Sequence, residues 1–261
     1  MATTIAISGK GGSGKTTLAA MIVRLLRDRQ SGAVLAVDAD PNSCLGLMMG
    51  VQLVSTVAEI REQARSKKPG GDTLGKGLDK VRSLEYGIQQ AVTEAEGFDL
   101  LTMGRPEGPD CYCAVNNLLR KFLDELSSAY AFVVVDNEAG MEHLSRRTTN
   151  NVDLLCIVAE PTALGAITAK RIFDLAKQLP ITVKRIGLIW NDKQDVRDKA
   201  ADAKCEIDAG EKLGRVPYDN VVFEASVQSK TIFDIGQNNP AFSAVQEILE
   251  QILNLKTTKI T

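Results

Sequence analysis

The stretch GKGGSGKT, Gly9 to Thr16, constrains this chain more than any other. It satisfies G-x-x-x-x-G-K-[ST]. It stands between the apolar run TTIAIS and the segment KTTLAAMIVRLLRDR, where Leu18, Ile22, Leu25 and Leu26 share one helical face. A strand, a glycine-rich turn and a helix in that order predict a phosphate-binding loop. The glycines let backbone N–H groups turn inward around phosphate oxygens, and the helix N-terminus adds its partial positive charge. Lys15 is placed to reach β- and γ-phosphates and the Thr16 hydroxyl to ligate Mg²⁺. Gly9, Lys10, Gly11, Gly12, Ser13, Gly14 and Thr17 complete the candidate nucleotide-binding stretch.

Apolar runs and helical patterns alternate along the rest of the chain. AVLAVD, FDLLTMG, AFVVVD, DLLCIVAE, ITVKRIGLIWN and GRVPYD read as strands, the last as a short strand or turn. Residues 43–66 read as helical with a break near Gly50, and VNNLLRKFLDELSS, ALGAITAKRIFDLAKQL and AFSAVQEILEQIL read as helices. This predicts an α/β fold: one P-loop domain over 1–261, with a mostly parallel sheet and helices on both faces. Ligands in such folds bind beyond the carboxyl ends of the strands. Gly9, Asp38, Gly104, Asp136 and Asn191 all follow apolar runs, so they are expected along one edge. KPGGDTLGKG reads as a glycine-rich loop.

With 261 residues, 44% of them hydrophobic, the chain has enough apolar material for a substantial core. Its net charge of −2 provides no general attraction to nucleic acid or anionic lipid. The opening MATTIAISGK lacks the basic and apolar regions of a signal peptide, and no run approaches the ~20 apolar residues of a membrane span. The expectation is a cytoplasmic protein with no nucleic-acid or membrane partner. Its five cysteines are then expected to be reduced: Cys156 in the core, Cys44 in packing, Cys205 in a polar stretch with no role assigned, and Cys111 and Cys113 as a local pair. His143, the only histidine, reads as structural and is not assigned to a metal.

Lys10, directly after the first glycine of the loop, makes this a deviant Walker A sequence. On that feature the chain resembles the MinD/NifH/ParA family of dimeric P-loop ATPases over most of its length. The resemblance implies that Lys10 crosses a two-fold interface to the partner's nucleotide, much as an arginine finger does. VDADPNS is similar to the family's switch I. Asp40 then orients or deprotonates the attacking water, and Asp38 lies nearer Mg²⁺. VVVDNEAG is similar to Walker B and switch II, with Asp136 holding a Mg²⁺-bound water and Gly140 permitting switching. As simpler alternatives, Asp40 caps the next helix and Gly140 serves a turn. RVPYD, with Pro217, resembles the loop that lines adenine. Asn191 is either a base-reading residue or a strand-end turn residue. The absence of Asn-Lys-x-Asp in NDKQD favours ATP over GTP.

Cys111 and Cys113 supply only two thiolates, half of a closed tetrahedral site. A two-fold dimer repeats the pair and puts the metal on its axis. Zn²⁺, an Fe–S cluster and Ni²⁺ all suit such ligands. The plain alternative is two reduced cysteines in a turn before a helix. A deviant Walker A ATPase with C-x-C ahead of a helix resembles the CooC-type nickel-insertion ATPases, which implies an intersubunit Ni²⁺ or Zn²⁺ site. It also implies a homodimer governed by nucleotide or metal, and a client nickel enzyme such as carbon monoxide dehydrogenase. GRPEGPDC also resembles the nitrogenase iron protein, but DNEAGMEHLSRR lacks the second cluster cysteine of that reductase. A MinD- or ParA-like spatial organiser is the third reading. Against it stand a C-terminal stretch with only two lysines and the lack of a dense Lys/Arg cluster, and it leaves the cysteines unexplained.

Overall fold

A computed structural model of the chain describes residues 2–66, 87, 89–105, 125–137, 151–179, 181–193, 208–236 and 238–257. Strand β1 (Thr3–Gly9) leads into helix α1 (Lys15–Asp28), followed by β2 (Val34–Ala39), α2 (Cys44–Met48) and α3 (Val57–Ser66). Next come β3 (Val92–Ala95), β4 (Phe98–Thr102), β5 (Phe132–Asn137), β6 (Asn151–Val152) and β7 (Leu154–Ala159). Helix α4 (Ala163–Gln178), β8 (Thr182–Val183), β9 (Ile186–Asn191), β10 (Glu211–Val216) and α5 (Asn220–Val227) precede a 3₁₀ turn (Ile232–Asp234) and α6 (Pro240–Thr257).

Eight of these strands form one sheet in the order β10-β9-β7-β1-β5-β2-β4-β3. Every pairing in it is parallel except β3 with β4. The central strands are buried on both faces, which is why they read as continuous apolar runs. Alternation persists beneath that continuity. Ile5 and Ile7 of β1 face a core with α1 and α6, in which Met21, Ile22, Leu26, Phe242 and Leu249 are buried. Ala6 faces the opposite core, shared with Val57 and Ile60 of α3 and with Ala169, Ile172 and Phe173 of α4. Helices therefore cover both faces, as the sequence predicts.

Several elements differ from the sequence reading. The break expected near Gly50 within the helical segment at 43–66 is present but wider than read, residues 49–56 separating two helices. The strand read at ITVKRIGLIWN is interrupted, with β8 pairing only with β6 in a small second sheet. Strand β3, an antiparallel hairpin partner for β4, is absent from the sequence reading because VTEA is half-exposed and weakly apolar. Cys156 is buried in the core as expected, whereas Cys44 is exposed at the start of α2, so its packing assignment does not hold. Among the described residues no helix is long and apolar enough to cross a membrane.

Candidate nucleotide site

The parallel register gathers strand ends on one edge. Ile7 stands opposite Asp136, and Asp136 opposite Asp38. Gly9 closes β1 between these acids and the end of β7, where it pairs with Val158. The loop from Gly9 to Gly14 then crosses the sheet edge to α1. At its end Gly14 has φ +92°, the left-handed conformation glycine adopts without penalty. A Cβ on Gly14 would also fall 2.2 Å from Asn191 Nδ2. That amide is occupied: it donates to the Ser13 carbonyl at 2.8 Å. Asn191 thus braces the loop from the end of β9 and also lines the neighbouring cleft.

Lys15 is 6% exposed, and its ammonium donates to the Lys10 carbonyl at 3.4 Å. The side chain is therefore curled within the turn of the loop. Lys10 itself is exposed at the rim, beside Glu160, Leu164 and Thr168. Lys193 pairs with Glu160 at 2.6 Å and would lie 3.6 Å from a Cβ on Gly12.

Two clefts open on the loop and share Gly12, Gly14 and Thr17. The larger, about 720 Å³, is lined by Gly11, Lys15, Thr16, Asp40, Asn42 and Arg105 among others. The smaller, about 300 Å³, lies between Leu18 and Met21 of α1, Asn191–Lys193, Val216–Asp219 and Phe223. Pro217 is part of its wall. Asp192 there is held by Arg215, whose Nε donates to both carboxylate oxygens at 3.0 and 2.9 Å. Asp219 accepts from the Val221 and Val222 N–H groups as the cap of α5. Both acids are thus already engaged, and the wall offers mainly apolar surface and backbone.

Asp38 and Asp136 are almost fully buried beneath the larger cleft. Asp38 accepts from the Leu45 N–H at 2.9 Å and the Asp40 N–H at 3.2 Å. Burial pushes its pKa up to about 7, opposed by the Leu45 N–H and reinforced by Asp136. Burial likewise pushes Asp136 up to about 6, opposed by the Thr16 hydroxyl and the Lys15 ammonium. Among the described residues neither Asp136 oxygen has a partner in hydrogen-bond geometry, although Thr16 is near enough to ease its charge. Two buried carboxyls and a hydroxyl at a phosphate loop are hard oxygen donors short of positive charge, so the residues fit Mg²⁺. Asp40 is partly exposed on the cleft wall, accepting from the backbone and side chain of Asn42.

Gly9–Thr17, Asp38, Asp40, Asp136, Asn191 and Pro217 therefore lie together at one sheet edge, as the strand pattern anticipates. Cys111 and Cys113, like Gly140, His143 and Cys205, lie outside the described residues. Among the described residues no group of three or more His, Cys, Asp or Glu side chains is arranged to hold a metal ion by itself. The sequence reading overlooked Arg105. Its signal was present: a cation immediately after Gly104, at the carboxyl end of a strand.

Comparison with known proteins adds relatives to this geometry. The family model described as the CobQ/CobB/MinD/ParA nucleotide binding domain matches residues 4–232. An uncharacterized ATP-binding protein of Methanocaldococcus jannaschii is 38% identical, covering 97% of this chain and 99% of the relative. The carbon monoxide dehydrogenase accessory protein CooC of Rhodospirillum rubrum is 30% identical, covering 95% and 97%. Among solved structures, a ParA family ATPase from Chlorobium tepidum superposes with a TM-score of 0.69 at 19% identity, covering 95% of this chain and 99% of that one. The septum site-determining protein MinD of Pyrococcus horikoshii, solved with Mg-ADP, gives 0.66 at 21% identity and covers both chains fully. At these identities the solved structures establish a shared fold.

Proposed function

The chain belongs to the CobQ/CobB/MinD/ParA nucleotide-binding family, and from that premise we propose that it is an ATP-hydrolysing, nucleotide-gated dimer that carries a metal between its subunits and assists maturation of a nickel enzyme. One observation carries the nucleotide half. Two clefts meet over Gly12, Gly14 and Thr17, one polar and lined by Lys15, Thr16 and the partly exposed Asp40, the other largely apolar. An extended ligand with phosphates at one end and a flat base at the other matches both. ATP is the nucleotide favoured by the ATP-binding relative and by the missing guanine signature in NDKQD.

In this reading Lys15 swings from the Lys10 carbonyl to the β- and γ-phosphates, replacing one weak hydrogen bond with charged ones. Asn191 and Pro217 border the adenine. Mg²⁺, held through Thr16, Asp136 and Asp38, offsets phosphate charge when bound. Asp40 orients a water against the γ-phosphorus and takes its proton as the bond to the β–γ bridging oxygen breaks. Lys10, exposed at the rim, is free to reach a partner's nucleotide.

The metal half rests on Cys111 and Cys113 and on the likeness to the CooC accessory protein. Nickel or zinc is cargo here, held by four thiolates, two from each subunit, and passed to a client such as carbon monoxide dehydrogenase. Metal analysis of the purified dimer, with and without a non-hydrolysable ATP analogue, tests this. The expected result is a single Ni²⁺ or Zn²⁺ per dimer, lost when Cys111→Ser is combined with Cys113→Ser. Iron with equimolar sulfide and a charge-transfer absorption band would instead indicate a reductase. Metal retained in the double variant would sink the cysteine assignment.

A further inference from the structure

The end of β4 is built into the phosphate site by three constraints. Thr102 stands opposite Asp38, and the Met103 N–H donates to the Asp38 carbonyl at 2.8 Å. The chain then turns at Gly104, whose φ of +70° lies in the left-handed region. A Cβ there would fall 2.6 Å from Thr56 Oγ1 and 2.7 Å from Thr56 Cβ. Thr56 cannot readily yield, because it caps α3 reciprocally with Glu59. The Thr56 N–H donates to Glu59 Oε2 at 2.9 Å, and the Glu59 N–H donates to Thr56 Oγ1 at 3.2 Å. The residue delivered by this turn is Arg105. It is exposed and lines the larger cleft with Lys15, Thr16, Asp40, Pro41 and Asn42, and because β4 lies beyond β5 and β2 from β1, it enters from the side of Asp40, away from the loop that follows β1. Among the described residues its guanidinium has no hydrogen-bond or ion-pair partner.

We propose that Arg105 binds the terminal phosphate of a nucleoside triphosphate held on the loop, making the far wall of the cleft the part that tells triphosphate from diphosphate. This rests on the nucleotide reading above. The near wall, Gly11 to Thr17, surrounds the phosphates common to both nucleotides. A group on the far wall meets only what extends across the cleft. A triphosphate brings more negative charge than the buried Lys15 alone offsets, and guanidinium presents a planar fork that matches two phosphate oxygens.

Isothermal titration of the full chain with Mg²⁺ and either ADP or a non-hydrolysable ATP analogue tests the assignment. Arg105→Ala should weaken the triphosphate analogue about tenfold, equivalent to ~1.4 kcal/mol, and ADP by less than about twofold. Arg105→Lys, which keeps charge without the fork, should fall between. Retained ADP binding reports that each variant is folded and its loop intact. Equal weakening of both ligands, or of neither, overturns the proposal. Lys15→Ala in the same titration should lose both ligands. If the wild-type chain binds neither nucleotide, the nucleotide reading falls and this inference with it. If the wild type binds both and Arg105→Ala matches it, only the inference falls.

Discussion

Asp38 and Asp136 occupy facing positions on neighbouring parallel strands, buried and beside each other, with pKa values near 7 and 6. An unfolded chain ionises such groups near pH ~4. Between that value and about 7, the folded metal-free protein holds protons that the unfolded chain has released, so stability falls as pH rises across the window. The penalty is absent below pH ~4 and complete above about pH 7. Asp38→Asn removes its own share. Melting temperatures measured in EDTA should therefore show the variant gaining on the wild type as pH rises from about 4.5 to 7.5. The loss or weakening of an accepted backbone hydrogen bond adds a constant offset, so the slope of the difference is diagnostic, and a flat difference would contradict the burial argument. The two acids were legible as strand-end residues. Their facing each other was not, because it depends on β5 inserting between β1 and β2, and nothing local in either strand encodes that order. Asn191 shows the same limit. Its place at a strand end was readable, whereas its bond to the Ser13 carbonyl, 178 residues away, was not.

At the scale of elements, α1 must hold the phosphate loop at one end while its other end stays fixed. Arg24 performs the second task. It is 7% exposed and donates through Nη1 to the Ile232 carbonyl and, at 2.7 Å, to the Ile235 carbonyl. Its guanidinium sits 4.7 Å from the centre of the Phe242 ring, with Asp28 3.5 Å away one turn along the helix. One side chain thereby joins α1, the 3₁₀ turn and the start of α6. Arg24→Met keeps much of the volume but leaves two carbonyls without this donor, at a cost of ~2–4 kcal/mol. Urea unfolding should register a clear fall in midpoint at unchanged slope, and a loss below ~0.5 kcal/mol would show that the carbonyls find other partners. The sequence analysis places Leu18, Ile22, Leu25 and Leu26 on one face of this helix and gives Arg24 no role. The carbonyls that Arg24 serves are more than 200 residues distant, and main-chain acceptors leave no mark in a sequence. Elements with strong local signals were read correctly: the strand–loop–helix unit, FVVV and LLCIV as central strands, and the closing helix. Short or half-exposed pieces such as β3 and β6 were missed, and the break between β8 and β9 was not seen, because pairing with neighbours, rather than their own residues, decides where these strands run.

For the whole molecule, the surface beside the phosphate loop bears on assembly. Lys10 is exposed there, and Leu164 and Ile167 at the start of α4 are 60% and 50% exposed. Leu164 lines the same recess as Lys10 and Glu160. A lysine and a bare aliphatic side chain at one recess, with a second bare aliphatic side chain three residues along α4, suit a face that is covered only when nucleotide supplies the opposing charge. With Mg²⁺ and a non-hydrolysable ATP analogue, light scattering after size exclusion should show mass moving toward two chains, while ADP leaves it unchanged. Lys10→Ala should keep nucleotide affinity in the single chain but lower turnover by about 10³-fold, the lower end of the range for an arginine finger. Leu164→Asp with Ile167→Asp should block the mass shift and lower turnover with it, since a lysine acting across the interface requires the partner. Mixing separates action in trans from action in cis. Lys10→Ala chains, able to bind ATP, are combined with Lys15→Ala chains, which keep Lys10 but cannot hold nucleotide. If Lys10 acts across the interface, the mixed dimer recovers hydrolysis in the Lys10→Ala subunit, and if it acts within its own chain, no activity returns. Linkage then extends the test to the metal: whatever factor ATP adds to metal affinity, metal must add to ATP affinity. Equal ATP affinities in the presence and absence of bound metal would therefore separate the two sites, whatever the cysteines hold.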